Sequence, residues 1–146
     1  MSDFLHTMQI AASGLTAQRV RMEAIASNLA NAETTRTAAG GPYVRKRVVL
    51  QAAPAPTSFE QLLRGAEAPE QPAVAVRAVV PDPRPPRLVY DPGHPDANAQ
   101  GFVAMPNVNP LEEMTDMMTA MRTYEANVKA VQATKHMAAA ALEIGK

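Results

Sequence analysis

The stretch Asn109-Pro110-Leu111-Glu112-Glu113-Met114-Thr115-Asp116-Met117-Met118 carries the first decision about the fold. An asparagine can accept a backbone N–H at a helix start. A proline at the first helical position has no N–H to leave unpaired, and a glutamate shortly after completes a capping box. The spacing predicts a helix from Pro110 to about Ile144, with Gly145 as its stop. Met114, Met121, Val128 and Leu142 share one heptad position, interrupted by Lys135, and Met117, Tyr124, Val131 and Ala138 share the other. Met118 widens this seam. Methionine is flexible and polarizable, so a broad Met face suits non-identical partners.

Working outward, the other end of the chain repeats the pattern. Met8, Leu15, Met22 and Leu29 stand seven residues apart, and Phe4, Ala11 and Ile25 fill the partner row, which Gln18 breaks. Leu5, Ala12 and Ala26 widen the stripe. Ser2 or Asp3 can cap this helix, and Asn31 and Thr34-Thr35 can end it, which gives about 30 residues and ~45 Å. Gly14 lies mid-helix, where glycine costs about 1 kcal/mol against alanine. Together with alanines and serines around most of the helix, it points to close approach by other helices. Two helices of matched length at the chain ends are expected to pair as an antiparallel coiled-coil hairpin. Their remaining apolar residues need further partners, so the pattern points to assembly.

Between the helices the chain changes character. Twelve of the 13 prolines lie between Pro54 and Pro110, and proline is costly inside a helix. Residues 35–109 therefore read as a small β-rich middle element between an N-terminal helical segment (1–34) and a C-terminal one (110–146). Strands are expected at 43–50, 74–80 and 87–90, with Phe102 and Val103 on an edge. Residues 51–73 form an Ala/Pro-rich loop, in which Ser58 to Gly65 could make one short helix.

Composition excludes several functions. The 146 residues carry 14 basic and 14 acidic side chains, without the basic surplus of a nucleic-acid binder. The absence of cysteine excludes disulfides, thiolate metal sites and thiol nucleophiles. No apolar run reaches the ~18 residues of a membrane span. The first charge is Asp3 and the first basic residue Arg19, which does not match the positive opening of a secretory signal. The reading is a cytosolic protein, or one exported without a cleaved signal. Asp91, His94 and Asp96 crowd one segment, but two prolines fix it as a rigid turn and no fourth metal ligand is evident. Arg45-Lys46-Arg47 reads as an acidic-partner contact or a solvated edge. No phosphate loop or catalytic triad stands out, so no catalytic residue, cofactor or metal is expected.

Several blocks are similar to those of a known family. Ser27-Asn28-Leu29-Ala30-Asn31-Ala32-Glu33-Thr34-Thr35 resembles the N-terminal signature of bacterial flagellar rod and hook proteins. Gly41 to Val49, Asp91 to Ala97, Gly101-Phe102-Val103, Pro106 to Asn109, Tyr124 to Val128 and Leu142 to Gly145 resemble its proximal-rod branch. The blocks cover about residues 1–50 and 87–146.

The resemblance implies a structural subunit of the flagellar basal body, whose end helices pack into the inner tube of a periplasm-crossing rod. It implies partners among other copies, other rod proteins, the basal-body rings and the flagellar type III export apparatus, and export without a cleaved signal. It implies neither nucleic-acid binding nor membrane insertion. The expected subunit interface comprises Met8, Leu15, Met22, Ile25, Asn28, Leu29 and Asn31 on the first helix. On the second it comprises Met114, Met117, Met118, Met121, Tyr124, Asn127, Val128 and Val131. A cytosolic helical adaptor or oligomerisation module is the alternative on the residues alone.

Overall fold

The computed structural model describes residues 2–54 and 72–144. Most of the Ala/Pro loop, the short helix expected at Ser58 to Gly65, and Gly145 lie outside the described residues. The elements run α1 (Ser2–Ala30), β1 (Lys46–Pro54), β2 (Pro72–Pro81), β3 (Arg87–Tyr90), β4 (Phe102–Met105) and α2 (Pro110–Ile144). Two long end helices thus flank two small two-stranded sheets, β1 with β2 and β3 with β4.

Local chemistry accounts for the boundaries. The Asn109 Oδ1 accepts the Leu111 N–H at 3.1 Å, so α2 begins as its capping sequence dictates. At the end of α1 the Asn31 N–H reaches the Ser27 carbonyl at 3.2 Å, and its Nδ2 donates to the same oxygen at 2.8 Å. That side-chain bond competes with continuation of the helix. The first strand starts at Lys46 rather than at Tyr43, whose backbone N–H donates instead to the Thr34 carbonyl at 3.0 Å.

The described chain divides into two compact units. The first draws on Met1–Val20, Leu50–Arg77 and Ala120–Lys146, and the second on Arg21–Val49 and Ala78–Thr119. In the first unit Ala17, Ala120 and Thr134 are buried. The Val74 N–H donates to the Ser13 Oγ at 3.1 Å, which seats the start of β2 on α1. In the second unit Ala24, Ile25, Val103 and Val108 are buried alongside Asn28, Asp82 and Glu113.

The β3–β4 hairpin is antiparallel, pairing Leu88 with Ala104, Val89 with Val103 and Tyr90 with Phe102. Alternation sends Val103 inward and leaves Leu88, Tyr90 and Phe102 exposed. The rings of Tyr90 and Phe102 meet edge to face at 5.3 Å. Gly101 closes the turn at φ 83°. A Cβ there would lie 2.9 Å from the Tyr90 ring.

The buried helical rows differ from the expected ones. Along α2 the buried positions are Glu113, Ala120 and Thr134, with Asn127 half-buried. This row is displaced by one residue from Met114, Met121 and Val128. Met114 and Met121 are exposed, as is Leu142, while Met117, Tyr124, Val131 and Ala138 are half-buried as the second row requires. Along α1, Ala17, Ala24 and Asn28 are buried, as is Ile25 of the expected partner row, whereas Met8, Leu15 and Met22 are half-buried and Leu29 is exposed. The largest fully buried side chain among the described residues is Glu113, so its position follows its polar partners Asn28 and Arg45 rather than the apolar heptad.

Gly14 marks a close approach in the first unit. A Cβ on it would stand 2.8 Å from the Asn127 Nδ2. Alanine would gain about 1 kcal/mol of helix propensity but must push the amide aside. Gly14→Ala is therefore expected to change stability by less than about 1 kcal/mol. Added to an Asn127→Ala background, the same substitution should recover the full gain. Urea unfolding of the four proteins of this cycle measures the difference.

Candidate functional site

The second unit joins buried polar side chains to a small apolar core of Ala24, Ile25, Val103 and Val108. Asn28, in the last turn of α1, is buried. Its Oδ1 accepts the Lys46 N–H at 2.8 Å and the Tyr43 hydroxyl at 3.0 Å. Its Nδ2 donates to the Lys46 carbonyl at 3.0 Å and to the Glu113 Oε2 at 3.0 Å. One amide thus holds both backbone groups of the first residue of β1 and a carboxylate of α2. The Tyr43 hydroxyl also lies 3.1 Å from the Ser27 Oγ.

Glu113 has no exposed side-chain surface. Its second oxygen accepts the Arg45 Nε–H at 2.5 Å. Arg45 donates from Nη1 to Asp82 at 3.3 Å and stands 3.8 Å from Asp116. Arg84 grips Asp82 through Nε and Nη2 at 3.1 and 2.9 Å, and its backbone N–H caps the same carboxylate. Arg21 of α1 reaches Asp116 at 3.3 Å. Three carboxylates and three guanidinium groups therefore join α1, the chain ahead of β1, the chain after β2 and the first turns of α2. Acidic groups in the first turns of α2 also sit favourably on its dipole.

Charge and burial explain one another here. Burial opposes the charge on Arg45, but its hydrogen bond and charge interaction with Glu113 outweigh this and hold the guanidinium above its ordinary range. The Arg84 side chain, then its backbone N–H, hold the Asp82 carboxyl well below the usual carboxylate range; burial opposes this and Arg45 adds to it.

The expected interface residues separate into two groups. Ile25 and Asn28 are buried and Asn31 is tied to its own helix end. Met8, Leu15, Met22, Met117, Tyr124, Asn127, Val128 and Val131 are half-buried. Leu29, Met114, Met118 and Met121 are exposed, the last three at 55%, 55% and 48%, and Leu111 joins them at 72%.

The basic cluster also divides. Arg45 is neither a solvated edge nor free for an acidic partner, since Glu113 and Asp82 of its own chain occupy it. Lys46 lies over the Tyr43 ring at 5.9 Å. Glu113, Asp82 and Arg84 were missed by sequence reasoning. Asp82-Pro83-Arg84, with opposite charges around a proline, was the one local signal.

Asp91 to Asp96 forms a turn, with the Asp91 Oδ1 accepting the Gly93 N–H at 3.2 Å. Among the described residues no three His, Cys, Asp or Glu side chains stand close enough to hold a metal ion. Among them, too, no helix is long and apolar enough to cross a membrane.

Known proteins are similar in sequence along nearly the whole chain. The flagellar basal-body rod protein FlgC of Bacillus subtilis is 47% identical, with 97% of each chain covered. The chain belongs to the FlgC family. FlgC of Escherichia coli O6:H1 is 41% identical over 97% of this chain and 98% of its own, and FlgC of Borreliella burgdorferi 39% identical over 94% and 95%. The family described as flagella basal body rod protein matches residues 8–36, and that described as flagellar basal body rod FlgEFG protein C-terminal matches residues 99–144. The two matches take in most of α1 and all of α2, including Asn28 and Glu113. As an FlgC-family member, the chain is a structural subunit of the flagellar basal-body rod.

Two outcomes test the junction. Glu113→Ala removes the acceptor shared by the buried Asn28 amide and the Arg45 Nε–H and is expected to cost about 3 kcal/mol, measured by urea unfolding, with Glu113→Gln less severe because an amide oxygen still accepts. The second test concerns acid. A depressed folded-state pKa means that Asp82 stabilises fully above its unfolded value, about 3.9, and loses that contribution progressively below it. The stability gap between the wild type and Asp82→Asn should be constant down to about pH 4 and narrow in stronger acid.

Proposed function

We propose that the chain enters the rod through its end helices, which pair antiparallel and contribute to the inner wall of the axial tube. The exposed Met flank of α2 then meets neighbouring subunits, including rod proteins of other types. The carrying observation is the exposure of Leu111, Met114, Met118 and Met121 on one helix, in a chain whose second unit is held by polar contacts. Burying one such side chain contributes roughly 1.5–3 kcal/mol, so solvent is a costly environment for four of them.

Antiparallel pairing draws support from each unit. In the second, Arg21 meets Asp116 and Asn28 meets Glu113, so α2 numbering falls as α1 numbering rises. In the first, Gly14 lies against Asn127. The reading extends to delivery and place: export by the flagellar type III apparatus without a cleaved signal, residence in the periplasm-spanning part of the basal body, and contact with its rings. The work is mechanical and structural rather than catalytic.

The Met flank supplies the test. Met118→Lys with Met121→Lys places two charges on an exposed face, so the isolated chain should keep its helical content by circular dichroism. Incorporation into basal bodies and swimming should be lost. Normal swimming with this double variant would overturn the proposal. Replacing Met118 with isoleucine, which keeps hydrophobicity but has few rotamers, should weaken association with other rod proteins more than self-association.

A further inference from the structure

Sulfur is unevenly placed in this chain. There is no cysteine, so nine methionines carry all of it. On α2, Leu111, Met114, Met118 and Met121 follow one another at alternating intervals of three and four residues, which sets them in a single row along the helix. Met114, Met118 and Met121 are exposed along that row, whereas Met8, Met22, Met105 and Met117 are half-buried. Met137 is as exposed, at 54%, but falls off the row.

An exposed thioether is open to attack on a hydroperoxide. The sulfur donates an electron pair to one peroxide oxygen. The O–O bond breaks, an S–O bond forms, and the proton of the transferred oxygen leaves with the other oxygen, as water when the oxidant is hydrogen peroxide. Sulfur is oxidised and the peroxide is reduced. A flexible apolar side chain thereby becomes a polar, chiral sulfoxide, and a reductase can reverse the change. No thiolate of the chain competes for the oxidant.

We propose that Met114, Met118 and Met121 are a peroxide-sensitive modification site that switches the α2 flank between an assembling and a non-assembling form, a role that rests on the flank being the subunit surface proposed above. Their shared row is what gives the chemistry its effect. Scattered sulfoxides would roughen a surface, but three in a line make one continuous apolar strip polar. The buried partners of Glu113 are untouched, so the oxidised chain keeps its own fold while the strip loses its affinity for a neighbour. Assembly covers the three sulfurs, so the switch acts on the free chain.

Hydrogen peroxide on the purified full-length chain, followed by peptide mass spectrometry, tests the site. Met114, Met118 and Met121 should convert about fivefold faster than Met105 and Met117, with helical content by circular dichroism retained, and methionine sulfoxide reductases should return them to thioethers. Equal rates at all five would overturn the proposal. Its consequence is read in cells from the amount of chain in isolated basal bodies. The triple variant Met114→Gln, Met118→Gln and Met121→Gln, polar and uncharged like the sulfoxide, should keep its helical content but incorporate about tenfold less. Met137→Gln, off the row, should incorporate as the wild type does. Undiminished incorporation of the triple variant would overturn the proposal, as would an equal loss in Met137→Gln. Exclusion of the lysine double variant alongside normal incorporation of the glutamine triple would leave the flank as a subunit surface and remove only its switching by oxidation. Oxidation of the three methionines as fast in intact basal bodies as in the free chain would overturn both.

Discussion

A carboxylate without exposed surface sets the terms for the second unit. Moving an ion of this kind out of water costs several kcal/mol, and the cost is offset only when every oxygen finds a strong donor. Glu113 finds them in Asn28 and Arg45. Because those donors come from the end of α1 and the approach to β1, neither segment can shift without stranding the charge. The constraint is directional where an apolar contact is not. It fixes which residue of α1 faces which residue of α2, and it ties the start of β1 to both.

In the second unit Glu113 takes up the inward position of α2 with an amide and a guanidinium as partners, and Met114 and Met118 of the same helix stand exposed. For a lone globular domain this would be an inefficient use of hydrophobic residues. For a subunit of the basal-body rod it leaves an exposed apolar flank, to which the contacts with neighbours are proposed to belong. In the second unit Glu113 holds the chain's own fold by specific polar pairs. Methionine suits that flank because three rotatable bonds let it pack against surfaces of different shape.

The element map was legible in the sequence to within a few residues. Asn109-Pro110 marked the start of α2, proline marked the non-helical middle, and valine-rich runs marked the strands. Gly14 also carried its message, since an uncompensated mid-helix glycine calls for a close neighbour, and Asn127 is that neighbour. The candidate site was legible only in part. Methionines drew attention because apolar heptads are the strongest periodic signal in a helix. That signal placed the buried row one residue away from Glu113, Ala120 and Thr134. Arg45 looked like part of a solvated basic run because its partners, Asp82 and Glu113, lie far along the chain.

By itself the sequence determined what depends on short range: helix caps, proline breaks, strand-forming runs, the glycine that a turn or a close contact requires, and membership of a rod family through contiguous blocks. The tertiary structure alone decided which face of each helix is inside. Periodicity reports that a helix has an apolar stripe but not which polar side chains will find buried partners, and such partners, Asn28 and Arg45, are what place Glu113 inside. It also decided which charges are buried, because the net charge of a segment is a local sum, whereas a buried ion pair such as Arg45 with Glu113 is made between residues that only folding brings together.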